Sequence, residues 1–165
     1  MDKNDTALYA FRKYADTVLR AAYACTGDLH EAEDITQDIF LSLHTSPPEF
    51  RDDGHMKAYL LRAAVNRSVN YKKSFRRSRT SSIEETGDIA SSEDVFSDRS
   101  GIRDIIRQLP EKYRSVIFLY YYEGYNIREI AGILGKNENT VSSLLRRARN
   151  KLKIRLDEEG YHEDR

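Results

Sequence analysis

The sequence predicts an all-α protein with two small helical domains joined by a flexible acidic linker. Two observations lead to this fold class. In residues 6–77 and 102–155, apolar residues recur every three or four positions, which is the period of an amphipathic helix. Between these parts, residues 79–101 lack such a period and are rich in Ser, Asp and Glu, as flexible segments are. We therefore expect a first domain at 1–78, a linker at 79–101, a second domain at 102–156 and an acidic tail at 157–165.

The charges balance overall but are unevenly placed. Lys and Arg number 27, as do Asp and Glu, so the formal net charge is +0. Basic residues cluster in 67–79 and 146–155, with acidic residues between them in 84–98. This arrangement suggests two contacts with one polyanion. The single cysteine, Cys25, excludes a disulfide framework within the chain. Since the sequence also lacks a long apolar run and the apolar core of a signal peptide, we expect a cytoplasmic protein without a membrane span.

Two helices are predicted before residue 45. The first covers residues 6–26 and ends at Gly27, and the second begins at Asp28, with Glu31 as its capping partner, and runs to about His44. The expected buried stripe of the first helix is Leu8, Phe11, Tyr14, Ala15, Val18, Ala22 and Cys25. The expected buried face of the second is Leu29, Ala32, Ile35, Thr36, Ile39 and Leu43, and its outward face is His30, Asp34, Gln37, Asp38 and Leu41. Leu41 among acids suggests the centre of a partner-binding patch, although a solvated face with one stray leucine is the better interpretation of this helix in isolation.

A third helix is predicted at residues 56–77, after a loop that Pro47 and Pro48 open and that includes residues 50–55. Its expected buried residues are Met56, Tyr59, Leu60 and Ala63. Its C-terminal half interleaves amides and aromatics with cations, a pattern that suits unpaired bases and a phosphate backbone. A basic helix end that offsets the helix dipole has the same composition, which does not separate the two interpretations.

The second domain contains a predicted helix-turn-helix. A buried helix is expected at the run VIFLYYY, residues 116–122, and Gly124 ends it. A short helix then starts at the capping residue Asn126 and ends at Gly135, and a second follows with Glu138 and Asn139 near its start. The outward face of this last helix holds Asn139, Ser143, Arg146, Arg147 and Asn150. Small polar groups followed by arginines suit the major groove of DNA, whereas a solvated helical hairpin is the alternative.

The sequence contains no recognisable enzyme motif. The four histidines share no metal-ligand spacing, and neither a phosphate-binding glycine loop nor a nucleophile motif is present. We therefore expect no catalysis, no metal site and no cofactor.

Taken together, three motifs resemble the extracytoplasmic-function (ECF) sigma factors of bacterial RNA polymerase, in the order that this family has them. Residues 27–43, GDLHEAEDITQDIFLSL, resemble the region 2 helix that docks on the clamp coiled coil of the largest polymerase subunit. Residues 58–77, AYLLRAAVNRSVNYKKSFRR, resemble the helix that melts and reads the minus-ten element. Residues 109–152 resemble region 4, which reads the minus-thirty-five element. The resemblance implies a transcription initiation factor that binds core polymerase, directs it to specific promoters and helps melt the minus-ten region.

The resemblance also implies a role for particular residues. The implied polymerase contacts are Asp34, Gln37, Asp38 and Leu41. The implied minus-ten contacts are Phe50, Arg51, Arg62, Asn66, Arg67, Asn70, Tyr71, Lys72 and Lys73, together with the rest of the loop to His55. The implied minus-thirty-five contacts are Asn139, Thr140, Ser143, Arg146 and Arg147. The implied partners are core polymerase and promoter DNA, both duplex and melted, and an anti-sigma protein is a further partner because many family members are held inactive by one.

The chain departs from the family pattern at three positions. Tyr59 stands where the family usually has Trp, and we expect it to remain an aromatic core residue. Ser142 and Leu144 stand where Lys or Arg is common, so fewer phosphate contacts are expected early in the last helix. Two other functions remain open: a DNA-binding regulator whose N-terminal half dimerises or senses a signal, and a degenerate sigma relative that only titrates a partner.

Overall fold

A computed structural model describes residues 2–78, 102–158 and 160 of the chain. Every regular element in these residues is helical, which confirms the predicted all-α class. The chain divides into two compact units, Met1–Glu93 and Asp94–Arg165, and each is described by itself below. The predicted linker at 79–101 and most of the tail lie outside the described residues, so the exact domain boundaries stay a prediction.

The first unit contains three helices, α1 (Lys3–Thr26), α2 (Leu29–Thr45) and α3 (Asp53–Ser78), with α1 packed against both of the others. As predicted, Gly27 ends α1 in the left-handed conformation at φ 70°, which a residue with a Cβ adopts only at a cost. The carboxylate of Asp28 then accepts a hydrogen bond from the Glu31 N–H at 3.2 Å and caps α2. The predicted buried face of α2 is confirmed, except that Leu29 is half-buried and Phe40 is buried as well.

Two expectations about α1 are wrong, and a third residue of the expected stripe, Ala15, is only half-buried. Leu8 and Phe11 were predicted to be core residues, but each is 49% exposed. The buried positions before Tyr14 are instead the small residues Ala7 and Ala10. Leu8 and Phe11 flank these alanines, and the ring of Phe11 packs edge-on against Phe40 at 5.2 Å between ring centroids.

The expectations about α3 also need correction. The helix begins at Asp53 rather than Met56, because the Asp52 carboxylate accepts a hydrogen bond from the His55 N–H at 2.7 Å and extends the helix by one turn. Tyr59 is 39% exposed and is not a core residue, and Ala63 is only half-buried, whereas Leu61 and Ala64 are fully buried. Tyr59 packs against Phe50 of the preceding loop, at 5.3 Å between ring centroids. The core therefore uses the next position along α3, and Tyr59 lies at its edge.

The second unit contains α4 (Ile102–Gln108), α5 (Glu111–Ile117), a π-helical turn (Phe118–Tyr122), α6 (Ile127–Leu134) and α7 (Glu138–Glu158). The run VIFLYYY is helical as predicted, with Val116 to Leu119 buried, but its second half is wound as a π-helix. The Glu123 N–H bonds to the carbonyl of Phe118 at 3.0 Å, five residues back. Gly124 follows at φ 74° and turns the chain towards α6.

Candidate functional site

The helix-turn-helix of the second unit lies where the sequence predicts it, but its second helix has a different cap. Asn126 and Glu129 form a capping box, in which the Glu129 N–H donates to Asn126 Oδ1 at 2.9 Å and the Asn126 N–H donates to Glu129 Oε2 at 3.0 Å. Gly135 ends α6 at φ 65°. The cap of α7 is Asn137, whose Oδ1 accepts from the Thr140 N–H at 2.7 Å, rather than Glu138 or Asn139 as expected. Because Glu138 is already the first residue of α7, the capping residue is the one before it, Asn137. The expected cap was therefore placed one or two residues too far along the chain.

The outward face of α7 is polar and cationic. Its buried side is Val141, Leu144, Leu145 and Ala148. Of the predicted contact residues, Asn139, Thr140, Arg146 and Arg147 are exposed, and Ser143 is half-buried at the edge of the face. The α7 face therefore presents short polar groups near the helix N-terminus and guanidinium groups one to two turns further on.

Arg149, which follows these arginines on α7, contacts the π-helical turn of the same unit. The sequence analysis did not predict this contact. Arg149 Nε donates to Tyr121 Oη at 2.7 Å, and the guanidinium lies over the rings of Tyr120 and Tyr121 at 5.2 and 5.7 Å. The hydrogen bond to Tyr121 raises the pKa of Arg149. This contact joins α7 to the π-helical turn, and the run of three tyrosines was the sequence signal for it.

The outward face of α2 combines carboxylates with one exposed leucine. Asp34, Gln37, Asp38 and Leu41 are all exposed, and Leu41 has 63% of its surface in contact with solvent. This α2 face borders an apolar groove of about 540 Å³ between α1 and α2. The groove is lined by Asn4, Ala7, Leu8, Phe11, Gln37, Phe40, Leu41 and His44. The sequence did not predict the groove because Leu8 and Phe11 were assigned to the core.

The loop before α3 is tied to the first turn of that helix. The Arg51 N–H donates to His55 Nδ1 at 3.2 Å, and the Phe50 ring packs edge-on against His55 and Tyr59 at 5.7 and 5.3 Å. Together with the Asp52 cap, these contacts link residues 50–52 to α3. The predicted loop at 50–55 is thus shorter than expected, because its last three residues belong to the helix.

The predicted minus-ten residues of α3 divide into two groups. Arg62, Asn66 and Asn70 are exposed. Arg67 and Tyr71 are half-buried and are turned towards α2: Arg67 Nη2 donates to Ser42 Oγ at 2.8 Å, and Tyr71 lies beside Glu31. Burial, followed by the charge of Glu31 and a hydrogen bond to it, raises the pKa of Tyr71. The side chains of Lys72 and Lys73 lie outside the described part of the structure.

Tyr59 is a further residue of the exposed α3 group. It lies three and seven positions before Arg62 and Asn66, so helical geometry places all three on one side of α3. Tyr59 and Phe50 therefore add aromatic surface beside the polar residues of this face.

Within the described residues, no cluster of three His, Cys, Asp or Glu side chains is arranged to hold a metal ion. Among the described helices, none is both long and apolar enough to cross a membrane.

Comparison with known proteins identifies both units. Residues 10–79 match the model of Sigma-70 region 2, and residues 99–152 match that of Sigma-70, region 4. The structure is similar to that of the sigma factor RpoE from Bartonella quintana, solved in complex with the anti-sigma factor NepR. The TM-score is 0.72 at 21% identity, with 93% of this chain and 98% of that chain covered, which is a likeness of fold.

Curated relatives carry the same assignment. The ECF RNA polymerase sigma factor SigL of Mycobacterium tuberculosis is 31% identical over 156 residues, which cover 91% of this chain and 88% of SigL. SigM of Bacillus subtilis is 26% identical, with 87% and 90% covered. SigE of Mycolicibacterium smegmatis is 29% identical over 150 residues, and the match spans only 58% of that longer protein and 86% of this chain. The chain therefore belongs to the ECF sigma factors of RNA polymerase, a family of transcription initiation factors.

Proposed function

We propose that this sigma factor directs core RNA polymerase to its promoters through three separate surfaces, one on α2, one on α3 and one on α7. In this proposal, residues 1–78 act as region 2, residues 102–156 as region 4 and residues 79–101 as the linker. Binding energy carries the whole mechanism, because the chain positions polymerase on DNA and opens the duplex without covalent chemistry. In this proposal, the chain acts in the cytoplasm, where core polymerase is.

The observation that carries the proposal is the α2 face. Leu41 is 63% exposed among Asp34, Gln37 and Asp38, and its apolar surface continues into the groove lined by Leu8 and Phe11. A contiguous apolar patch with a polar rim is the usual composition of a protein-binding surface. We assign this face to the clamp coiled coil of core polymerase, with the carboxylates paired to cations on the polymerase and Leu41 buried between the two proteins.

The exposed side of α3 is the surface that we assign to the minus-ten element. Phe50 and Tyr59 offer rings on which an unpaired base can stack, and Arg51 and Arg62 are placed for its phosphates. Asn66 and Asn70 supply amide groups for the base edge. We assign Arg67 and Tyr71 a supporting role, because both already have partners on α2. On family resemblance alone, we assign Lys72 and Lys73 to the backbone of the melted DNA strand.

The α7 face is the surface that we assign to the minus-thirty-five element. The helix-turn-helix presents Asn139, Thr140 and Ser143 at the N-terminal end of α7, which is the end that contacts base edges when such a helix enters the major groove. Arg146 and Arg147 follow one turn later. Guanidinium groups there bind a guanine edge or a phosphate.

The test is co-elution of the purified chain with sigma-free core polymerase, followed by run-off transcription from a library of random promoters. We expect a stable complex and transcription from a subset of templates that share two sequence elements. Replacing Asp34 and Gln37 by Ala should weaken core binding without changing helix content. Specific binding to a symmetric duplex site without polymerase would support a conventional regulator instead, and core binding without any transcript would support a titrating protein.

An anti-sigma protein is a second partner for the same surfaces. The RpoE structure contains NepR, an anti-sigma factor. We propose that a protein of this class, if the cell encodes one, covers the α2 face and so competes with core polymerase. Competition is measured by titrating the candidate protein into the preformed polymerase complex.

A further inference from the structure

A polar cluster joins α1 to the start of α3, outside the surfaces assigned above. The Asp53 carboxylate accepts a hydrogen bond from Tyr9 Oη at 2.8 Å and forms an ion pair with Lys13 Nζ. Lys13 Nζ also donates to Tyr9 Oη at 3.1 Å. Tyr14 Oη donates to the main-chain carbonyl of Asp53 at 3.2 Å. Asp53 is thus held through both its side chain and its backbone by residues about 40 positions earlier in the chain.

The cation of this cluster is in contact with aromatic rings. Lys13 Nζ lies 5.5 Å from the ring centroid of Tyr9 and 5.6 Å from that of Tyr14. The hydrogen bonds from Lys13 and Tyr9 lower the pKa of Asp53, so its carboxylate stays charged at neutral pH. The carboxylate is therefore in the charged form that the ion pair with Lys13 requires.

Asp53 lies directly after the loop that carries Phe50 and Arg51. The Asp52 cap, the bond from the Arg51 N–H to His55 Nδ1 and the packing of Phe50 on Tyr59 fix that loop to the first turn of α3. A Cβ at Gly54 would come within 3.3 Å of Asp52 Oδ1, so this turn has little spare room. Because Asp53 belongs to the same turn, its contacts with Tyr9 and Lys13 connect this loop to α1 as well.

Stability of the unit does not require the cluster. Lys13 and Asp53 have side chains that are 45% and 48% exposed, and exposed ion pairs contribute little to folding. Helices α1 and α3 pack against each other, and both have fully buried residues, such as Val18 and Leu61, that the cluster does not include. The contribution of this cluster is therefore to the geometry of the loop at residues 50–52 rather than to the stability of the unit.

We infer that Tyr9 and Lys13 are positioning residues that set the loop at residues 50–52 and thereby sharpen the choice of the minus-ten base. The inference rests on the proposed role of this loop in minus-ten recognition. Neither residue touches DNA in this account. They act through Asp53, which holds the first turn of α3 at a fixed position relative to α1.

The test compares Lys13→Met, Tyr9→Phe and the double variant with wild type. Arg12→Met is the matched control, since Arg12 is an exposed cation on the neighbouring position of α1. Lys13→Arg is the conservative variant. Each full-length chain is combined with core polymerase and assayed on promoters with a fixed minus-thirty-five element and each of the four bases at one minus-ten position at a time. Core affinity and the melting temperature are measured in parallel.

We expect the preference for the best base over the others to fall by about 3- to 10-fold in the double variant, the range for a lost positioned hydrogen bond. Arg12→Met should keep the wild-type ratio, Lys13→Arg should restore most of it, and core affinity should not change. A double variant that transcribes with undiminished preference overturns the inference while leaving the proposed function intact. A wild-type chain with no base preference at any minus-ten position removes the proposed role of the loop and the inference with it.

Hydrogen exchange gives a second readout that needs no DNA. The amides of His55 and Met56 are bonded to the side chain and the carbonyl of Asp52. We expect them to exchange faster in Lys13→Met and Tyr9→Phe than in Arg12→Met. Unchanged exchange at both amides in the double variant contradicts the anchoring step directly.

Discussion

Truncation of Leu41 isolates the contribution of the α2 face to polymerase binding. Replacing Leu by Ala removes three carbon atoms, and each buried methylene is worth about 0.8 kcal/mol. Since 63% of Leu41 is exposed in the free protein, that fraction of its surface remains available for burial by a partner. Three carbon atoms at this value, multiplied by the exposed fraction, give about 1.5 kcal/mol of binding free energy. Leu41→Ala should therefore bind core polymerase roughly 10-fold more weakly.

The same structure predicts that the free protein is nearly indifferent to this change. An exposed side chain away from special features alters the free energy of unfolding by about 0.5 kcal/mol or less. Leu43 lies two positions further along α2 and is 1% exposed, so Leu43→Ala should cost about 2–5 kcal/mol of stability. Comparing Leu41→Ala with Leu43→Ala therefore separates the loss of a polymerase contact from the loss of folding stability.

The assay is competition between each variant and a fluorescent wild-type chain for a limiting amount of core polymerase. Ile154→Ala is the matched control, because Ile154 is 58% exposed like Leu41 but belongs to α7 of the second unit. It should compete as well as wild type. If Leu41→Ala also competes as well as wild type while remaining folded, Leu41 is not buried by polymerase and the docking surface lies elsewhere.

Three further predictions concern the other elements. Arg147→Ala should weaken binding to minus-thirty-five duplex DNA by about 1–3 kcal/mol, measured by electrophoretic mobility shift. An unchanged shift would mean that Arg147 is a solvent-exposed residue that does not contact DNA. Asn126→Ala removes one half of the capping box and should lower the free energy of unfolding by about 0.5–2 kcal/mol in urea titrations, whereas no loss would show that the bond to the Glu129 N–H is replaced by water. The raised pKa of Tyr71 means that the folded chain binds the phenolic proton more tightly than the unfolded chain does, so its contribution is complete below the ordinary pKa of 10.0 and is lost as pH rises through the folded value. Stability should therefore fall more steeply above about pH 10 in wild type than in Tyr71→Phe, and parallel curves would contradict the burial of Tyr71 beside Glu31.

The sequence was sufficient for the elements whose signals are local. The cap at Asn126 and the ends of helices at Gly27 and Gly135 each depend on residues within one or two turns of each other. Such signals do not need knowledge of what packs where. The family resemblance then supplied the order of the regions, which the matches to regions 2 and 4 confirm.

The errors fall where a long-range contact decides between neighbouring positions. Periodicity assigned Leu8 and Phe11 to the core, but Ala7 and Ala10 are the buried residues there, and Leu8 and Phe11 line the groove. It also assigned Tyr59 to the core, although Tyr59 is exposed and packs against Phe50 of the preceding loop. A helical wheel cannot distinguish these outcomes, since the choice depends on which helix comes closest and at which residues.

These displaced residues lie at the surfaces to which we assign binding. A helix that buries alanines and leaves Leu8 and Phe11 half-exposed gives up part of its own apolar contact, and that surface becomes available to a partner. Tyr59 likewise contributes less to the core than a buried aromatic would, yet it extends the stacking surface begun by Phe50. The departures from the simple apolar pattern therefore carry functional information: substitutions that return these positions to a conventional core should raise stability and weaken binding together.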